Sequence, residues 1–240
     1  MKEKVLFCWS GGKDSALCLH KVLQADKYEV VALLTTVNEH YKRISMHGVR
    51  EELLDEQAKS IGIPLEKMYV GKESTNEEYE ENMGVILEKY KAKGITQVVF
   101  GDIFLEDLKQ WRENNLKKVE LSGLFPLWKM DTNELINEFI ESGFKTITCC
   151  INDGYLGEDM VGRVIDASFV TDLPDSVDPC GENGEFHSFA FDGPIFKQKI
   201  EFEIGEIVYK PLEIKTTDDD NVCKGVGNTK GFWFCDLVPN

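Results

Sequence analysis

Residues 5–15 of the chain read Val-Leu-Phe-Cys-Trp-Ser-Gly-Gly-Lys-Asp-Ser, which is the most informative segment for the fold. It opens with an apolar run of strand length, and residues 15–23 then repeat apolar side chains at helical spacing. A glycine turn between a strand and a helix brings backbone N–H groups and the positive end of the helix dipole toward one point. The stretch therefore predicts an anion-binding loop, formed by Ser10, Gly11, Gly12, Lys13, Asp14 and Ser15.

The spacing of this loop differs from two common nucleotide motifs. A Walker A loop needs four residues between its first glycine and Gly-Lys-Ser/Thr, and the dinucleotide motif reads GxGxxG. A strand, a glycine turn and an N-cap serine would explain residues 10–12 without any ligand. That structural interpretation leaves the Lys-Asp-Ser continuation unexplained.

Apolar runs of strand length alternate with helical segments through about the first 150 residues, a pattern typical of a parallel sheet covered by helices. Predicted strands cover residues 5–9, 30–36, 63–70 and 98–101, and predicted helices cover residues 15–23, 48–61 and 76–93. After residue 151 the alternation favours antiparallel strands at residues 185–191, 199–204 and 231–237. We expect an α/β protein with a parallel-sheet, Rossmann-like nucleotide-binding domain at residues 1–130 and a smaller α+β substrate domain at residues 131–240.

Composition excludes several classes of protein. The 43 acidic residues against 27 Lys plus Arg give a formal charge of -16, which disfavours binding to nucleic acid or anionic lipid. No window approaches the roughly 18 apolar residues of a membrane span, so we expect a cytoplasmic protein without a membrane segment. Seven cysteines without a CxxC pair indicate reduced thiols and argue against a zinc cluster. Residues 145–151 form a strand-like stretch, so at least one of Cys149 and Cys150 is expected in the core.

Four segments together resemble the diphthine–ammonia ligase family of N-type ATP pyrophosphatases. The loop at residues 10–15 resembles the pyrophosphate loop of that whole class, which cleaves ATP to AMP and pyrophosphate. The narrower resemblance rests on Ser-Met-His-Gly-Val at residues 45–49 and Val-Val-Phe-Gly-Asp-Ile at residues 98–103. It rests most of all on Asp-Pro-Cys-Gly-Glu-Asn-Gly-Glu-Phe at residues 178–186, followed by Asp-Gly-Pro-Ile-Phe at residues 192–196.

The resemblance implies a PP-loop domain of the HUP type and an ATP-dependent amide ligase. A carboxylate would attack the α-phosphate of ATP to give an acyl-adenylate and pyrophosphate, and ammonia would then displace AMP. The implied cofactors are ATP and Mg2+. The implied substrates are ammonium and a carboxylate acceptor, for which the family indicates diphthine on elongation factor 2. The sequence is compatible with a homodimer but does not fix the oligomeric state.

The candidate catalytic residues are Lys13, Asp14, Glu182 and Glu185. Lys13 and the loop amides would stabilise the departing pyrophosphate, together with Mg2+. Asp14 either binds the metal or orients Lys13. Glu182 and Glu185 would attract ammonium and accept its proton, unless they are solvated members of a tight glycine turn.

Further candidates follow strand ends. Gly101 and Asp102 stand at the carboxyl end of a predicted parallel strand, where open α/β sheets bind ligands. Gly101 and Asp102 are therefore candidate nucleotide contacts, and Asp102 is the second metal candidate or, alternatively, a helix cap. His47 is a nucleotide contact or a surface histidine, and Arg112 is a substrate-phosphate contact or part of a surface ion pair.

The proposed acceptor segment departs from the family pattern. Family members believed to amidate diphthine read Gly-Glu-Phe/Tyr-Glu-Thr, whereas Gly184 and Glu185 are followed here by Phe186, His187 and Ser188. Gly184, Glu185, His187 and Ser188 are the candidate substrate contacts, with a core role as the alternative for His187. Since a carboxylate attracts a trimethylammonium group and an imidazole does not, we expect poor amidation of diphthine.

Two other function classes compete with the ligase. A tRNA-modifying ATP pyrophosphatase is disfavoured by the net charge of -16 and by the lack of a CxxC pair. A nucleotide-binding module without catalysis is disfavoured by the intact Lys-Asp-Ser sequence and by the second predicted domain.

Overall fold

A computed structural model of the chain describes residues 2–44, 47–71, 74–212 and 229–240. The strands are β1 (Glu3–Cys8), β2 (Tyr28–Asn38), β3 (Arg43–Ile44), β4 (Leu65–Val70), β5 (Gln97–Val99), β6 (Ser122–Leu124), β7 (Lys145–Asn152), β8 (Phe186–Asp192), β9 (Phe202–Pro211) and β10 (Gly231–Pro239). The helices are α1 (Lys13–Gln24), α2 (Glu51–Ile61), α3 (Asn76–Lys91), α4 (Glu106–Lys118), α5 (Thr132–Glu141) and α6 (Ala167–Asp172), with a 3-10 turn at Glu158–Met160.

The first sheet is parallel except for one short strand. β1 pairs with β2 on one side and with β5 on the other, β2 also pairs with β4, and β5 pairs with β6. The short β3 runs antiparallel to the end of β2. The strand order reverses between β1 and β5, and open α/β sheets bind ligands beyond the carboxyl ends of the strands at such a switch point. The prediction of a Rossmann-like parallel sheet is confirmed.

The second sheet is antiparallel, with the order β8-β7-β10-β9. Its strand β7 lies at the apolar run that contains Cys149 and Cys150, where at least one buried thiol was expected, and both side chains are buried. The chain's last strand, β10, lies between β7 and β9. Residues at the end of the sequence therefore occupy the interior of this sheet.

Two apolar clusters cover the two faces of the first sheet. The smaller cluster joins β1, β2 and β5 to α3 and α4, through residues such as Leu87 and Leu116. The larger cluster runs from α1 and α2 into the second sheet and includes Leu19, Leu53 and Phe189. Because this core is continuous, packing fixes the second sheet against the loop that follows β1.

Some element boundaries differ from the sequence prediction. α2 begins at Glu51 rather than at residue 48, because Gly48 (φ +71°) lies in a turn that follows β3. β9 lies later than the predicted strand at residues 199–204. The sequence analysis did not predict α4, whose apolar stripe is narrow, with Leu116 as its one buried side chain.

In the described part of the chain, no helix has the length and apolar character needed to cross a lipid bilayer. The six described cysteines carry free thiols, and burial raises the pKa of Cys8 and of Cys150 to about 12. These thiols therefore stay protonated and unreactive at neutral pH. Cys223 and the motif residues Ser45 and Met46 lie outside the described residues.

Candidate functional site

The predicted phosphate loop lies between β1 and α1. Gly11 adopts φ +78°, which favours glycine, and Gly12 is the N-cap of α1. The Ser10 hydroxyl donates to Ser15 Oγ (3.1 Å), and the Ser15 hydroxyl donates to the Gly12 carbonyl oxygen (2.9 Å). The two hydroxyls thus hold the loop shape at the N-terminus of α1, beside the switch point of the first sheet.

Lys13 lies buried at the base of this loop, with 3% of its surface exposed. Its ammonium group donates to both Asp14 carboxylate oxygens (2.8 Å each) and to the Cys180 carbonyl oxygen. Burial alone would lower the pKa of Lys13, but the Asp14 carboxylate offsets this effect and the pKa lies above its usual value. Lys13 is therefore a fixed positive charge that is paired with Asp14.

Strand β8, in the second half of the chain, packs against the phosphate loop. The Lys13 backbone N–H donates to Ser188 Oγ (3.2 Å), and the Ala190 N–H donates to the Gly11 carbonyl oxygen (2.8 Å). The segment that the sequence analysis assigned to the substrate is therefore in direct contact with the segment that it assigned to ATP.

Gln57 joins the same two segments, and the sequence analysis did not identify it as a site residue. Its side chain is fully buried (0% exposed), and its Nε2 group donates to the Gly11 carbonyl (2.9 Å) and the Ala190 carbonyl (2.6 Å). Its Oε1 atom accepts a hydrogen bond from Trp9 Nε1 (2.9 Å). The sequence did contain a signal for this role, since Gln57 lies among the apolar positions of α2. A buried amide needs hydrogen-bond partners, so a polar contact is expected there.

Glu182 lies at the carboxyl end of the first sheet. Its Oε1 atom accepts a hydrogen bond from the Ile103 N–H (3.1 Å), in the segment that follows β5. Burial, and then repulsion by the Asp14 carboxylate, raises the pKa of Glu182 to about 7. This side chain therefore exchanges a proton readily near neutral pH.

Glu185 occupies a different environment from Glu182. It is fully buried (0% exposed), and its oxygens accept hydrogen bonds from the Asp178 N–H (3.0 Å), the Asn183 N–H (2.8 Å) and Asn183 Nδ2 (3.0 Å). The alternative of a solvated glutamate is therefore wrong for this residue. Glu185 holds together its own turn, which includes Gly184 (φ +82°) just before β8.

Asp102 and Arg112 form an ion pair beyond β5. Arg112 Nε lies 2.7 Å from Asp102 Oδ2, and Arg112 Nη2 donates to Asp102 Oδ1 (3.2 Å). Asp102 does not cap the following helix, since the N-cap of α4 is Leu105. A Cβ atom at Gly101 would lie 3.3 Å from the Asp14 carbonyl oxygen, so the close approach of this strand end to the loop favours glycine.

The rings of His47 and His187 lie against each other, with centroids 4.7 Å apart, and His47 Nδ1 is 3.2 Å from the Ser188 carbonyl oxygen. Burial lowers the pKa of His47 to about 4. Burial, and then the charges of His47 and Lys13, lowers the pKa of His187 to about 3. Both rings are therefore neutral at pH 7. His47 lies in the turn that follows β3.

Comparisons with known proteins point to one family. The profile described as "Diphthamide synthase N-terminal domain" matches residues 1–122, and the profile described as "Diphthamide synthase C-terminal domain" matches residues 131–217. The diphthine–ammonia ligase of Danio rerio is 26% identical over 223 residues, which cover 83% of this chain and 86% of that protein. The Homo sapiens protein of the same name is 26% identical over 225 residues, which cover 83% of this chain and 82% of that protein.

Two further comparisons differ in how much of the other protein they cover. The Schizosaccharomyces pombe diphthine–ammonia ligase is 26% identical over 244 residues, which cover 90% of this chain but only 40% of that protein. A solved structure described as a predicted subunit of tRNA methyltransferase from Methanocaldococcus jannaschii has a TM-score of 0.38 and 16% identity. That match covers 65% of this chain and 80% of the other, and a likeness so low does not bear on function. Because the two family profiles match in order and span most of the chain, the protein belongs to the diphthamide synthase family.

Proposed function

We propose that this protein is an ATP-dependent ammonia ligase. It would activate a carboxylate as an acyl-adenylate, release pyrophosphate, and transfer ammonia to form an amide. The observation that carries the proposal is the fixed Lys13 ammonium beneath a strand–glycine–helix loop at the switch point of the first sheet. The relatives named diphthine–ammonia ligase support the same reaction class.

The loop residues are suited to hold the phosphates of ATP. Ser10, Gly11, Gly12 and Ser15 would contribute hydroxyl and backbone donors, and Lys13 would stabilise the charge that develops on the departing pyrophosphate. The neutral His47 ring lies next to Gly12, since a Cβ there would be 3.2 Å from His47 Cε1. His47 is therefore placed to contact a bound nucleotide without adding charge.

Two carboxylates near the loop, Asp14 and Asp102, are candidate ligands for a magnesium ion that would be held mainly by the phosphates of ATP. Mg2+ usually keeps several water ligands and takes only one or two protein carboxylates beside the phosphates of the substrate. Within the described ranges, no group of three or more His, Cys, Asp or Glu side chains is arranged to hold a metal. Asp14 and Asp102 are both paired with a cationic side chain, and Asp14 is the better candidate ligand because its side chain is 32% exposed, against 12% for Asp102. When bound, Mg2+ would neutralise phosphate charge.

Glu182 is suited to prepare the ammonia nucleophile. With a pKa of about 7 it is partly ionised at neutral pH, and its carboxylate form would attract ammonium and accept a proton from it. The hydrogen bonds of Glu185 favour a positioning role in the turn before β8. The paired Arg112 is a weaker candidate for a phosphate contact, because Asp102 already balances its charge.

The experiment is a product assay with the full chain, ATP, Mg2+, ammonium chloride and a panel of carboxylic acids. We expect release of AMP and pyrophosphate. Replacing Lys13 with Ala should reduce turnover by about 100-fold or more, because this charge acts on the developing transition state. Lys21→Ala is the matched control on the same helix, since Lys21 pairs with Glu138 away from the loop. Release of ADP and phosphate, or normal turnover by Lys13→Ala, would contradict the proposal.

A further inference from the structure

An open cleft of about 380 Å3 lies between the β2–β3 hairpin and the second sheet. Arg43 and Ile44 line one side of it, and Phe232 and Phe234 line the other. His187 also lines the cleft and packs on His47, which adjoins the phosphate loop at Gly12. The volume is within the range of small-molecule sites, and the histidine pair brings the cleft next to the loop.

The charged groups of the cleft are cationic. Among the described residues, its lining contains Arg43 and Lys210 but no carboxylate. Asp236 is not part of the lining and pairs with two arginines, at 2.8 Å from Arg43 Nη2 and 2.6 Å from Arg50 Nη2. One carboxylate thus balances two guanidinium groups, and the Arg43–Asp236–Arg50 group keeps a net positive charge. In a chain with a formal charge of -16, a cationic cleft is a local exception that would concentrate anions.

The rest of the lining is largely apolar and aromatic. The rings of Phe232 and Phe234 lie 6.4 Å apart, and Lys210 Nζ lies 4.9 Å from the centroid of Phe234. Cys150 also faces the cleft, and its raised pKa keeps it an uncharged thiol. Flat apolar groups pack well against such aromatic walls.

We propose that this cleft is the acceptor site and that it selects an anionic acid with a flat apolar body over a cationic acceptor. The inference rests on the proposed ligase function, because it places the acid beside the loop that would adenylate it. Lys210 and the Arg43–Asp236–Arg50 group would hold the negative charge of the acid, and the two phenylalanines would hold its apolar body. The neutral His187 ring adds no attraction for a cation.

The test uses 19F NMR binding to the full chain with three probes of similar shape. The probes are 4-fluorophenylacetate, 4-fluorobenzyl alcohol and the 4-fluorophenyltrimethylammonium ion. We expect the anion to bind at least about tenfold more tightly than the cation, and we expect Lys210→Glu to remove that preference. Lys199→Glu is the matched control, because Lys199 is exposed and pairs with Glu201 outside the cleft lining.

Three results would overturn the inference: no binding of the anion, equal binding of the cation, or an anion affinity unchanged by Lys210→Glu. A parallel titration with an ATP analogue that resists cleavage between the α- and β-phosphates separates this inference from the proposed function. If the analogue does not bind while the anion preference persists, the ligase proposal fails and the anion selectivity of the cleft stands.

Discussion

At the scale of single residues, the two candidate glutamates differ in what surrounds them. Glu182 lies near Asp14 and has a pKa raised to about 7, whereas the oxygens of Glu185 accept hydrogen bonds from its own turn. A general base works best with a pKa near the working pH. The geometry therefore favours Glu182 for proton transfer and Glu185 for support of the turn.

Glu182→Gln tests the proton-transfer role. In the unmodified protein the carboxylate form is the active one, so amide formation should rise as the pH increases through about 7. The glutamine variant should lose this rise and be slower by about 100-fold, because it cannot accept a proton. The measurement is the rate of AMP release against pH at a constant, subsaturating concentration of ammonium ion, where the ionisation of Glu182 should appear as a plateau above about pH 7. A variant that kept the same pH profile would exclude Glu182 as the base.

Glu185→Gln should act on stability instead. An amide in place of the carboxylate weakens the buried hydrogen bonds from Asp178 and Asn183 and should lower the free energy of unfolding by about 1–3 kcal/mol. Urea unfolding measures this change. The same variant should keep the pH dependence of the rate of AMP release. Loss of that dependence would show that Glu185, rather than Glu182, is the base.

The double variant His187→Glu, Ser188→Thr tests the acceptor. We expect the natural chain to amidate diphthine poorly and the double variant to gain about ten- to a hundredfold, because a new carboxylate would attract the trimethylammonium group. ATP affinity should change little, since threonine retains the hydroxyl that accepts from the Lys13 N–H. Efficient amidation by the natural chain would show that diphthine itself is a good acceptor.

At the scale of elements, the site depends on the contact of the loop and α1 with β8. Gly12 leaves little room there, because a Cβ would lie 3.0 Å from the Ser188 carbonyl oxygen and 3.2 Å from His47 Cε1. Gln57 on α2 reinforces this contact with hydrogen bonds to Gly11 and Ala190. The shape of the loop is therefore set by two neighbouring elements as well as by its own glycines.

Gly12→Ala tests this contact. We expect the free energy of unfolding to fall by about 1–3 kcal/mol, because the new methyl group must push β8 away, and we expect ATP to bind more weakly. Gly84→Ala is the control, since no atom lies within 4 Å of a Cβ at this position in α3. That change should stabilise the helix by about 0.5–1 kcal/mol. Equal effects of the two variants on unfolding and ATP binding would contradict the role of the contact.

At the scale of the whole molecule, the two halves share one core and one half-buried histidine pair. The pKa values of about 4 for His47 and about 3 for His187 lie below the ordinary value of 6.5. In acid the unfolded chain therefore binds protons that the folded chain does not. Stability should be unaffected by this pair above pH 6.5 and should decrease as the pH falls from 6.5 toward 4.

His187→Phe should reduce this acid sensitivity. Between pH 6.5 and pH 4, each of the two histidines lowers the free energy of unfolding by at most about 1.4 kcal/mol per pH unit. The loss of stability from pH 7 to pH 5 should therefore be smaller in the variant. Urea unfolding at both pH values measures the difference. His40→Phe, at an exposed histidine, should leave the acid sensitivity unchanged. An identical pH dependence in the natural chain and His187→Phe would show that this ring is protonated in the folded state.

The local parts of the fold could be predicted from the sequence. Apolar spacing predicted β1, α1, β2 and β7, because strand and helix periods depend only on neighbouring residues. The Ser-Gly-Gly-Lys-Asp-Ser motif predicted the loop between β1 and α1 for the same reason. Weakly patterned elements such as α4 were missed, because a narrow apolar stripe gives little periodic signal.

Contacts between side chains that are distant in sequence depend on the tertiary structure. Ser188 contacts Lys13 across 175 residues of sequence, Gln57 reaches Ala190, and His187 packs on His47. The burial of Glu185 and the pairing of Asp102 with Arg112 likewise depend on surroundings that no local spacing encodes. The physical reason is that sheet order and the shared apolar core bring these segments together, and their burial then sets their hydrogen bonds and pKa values.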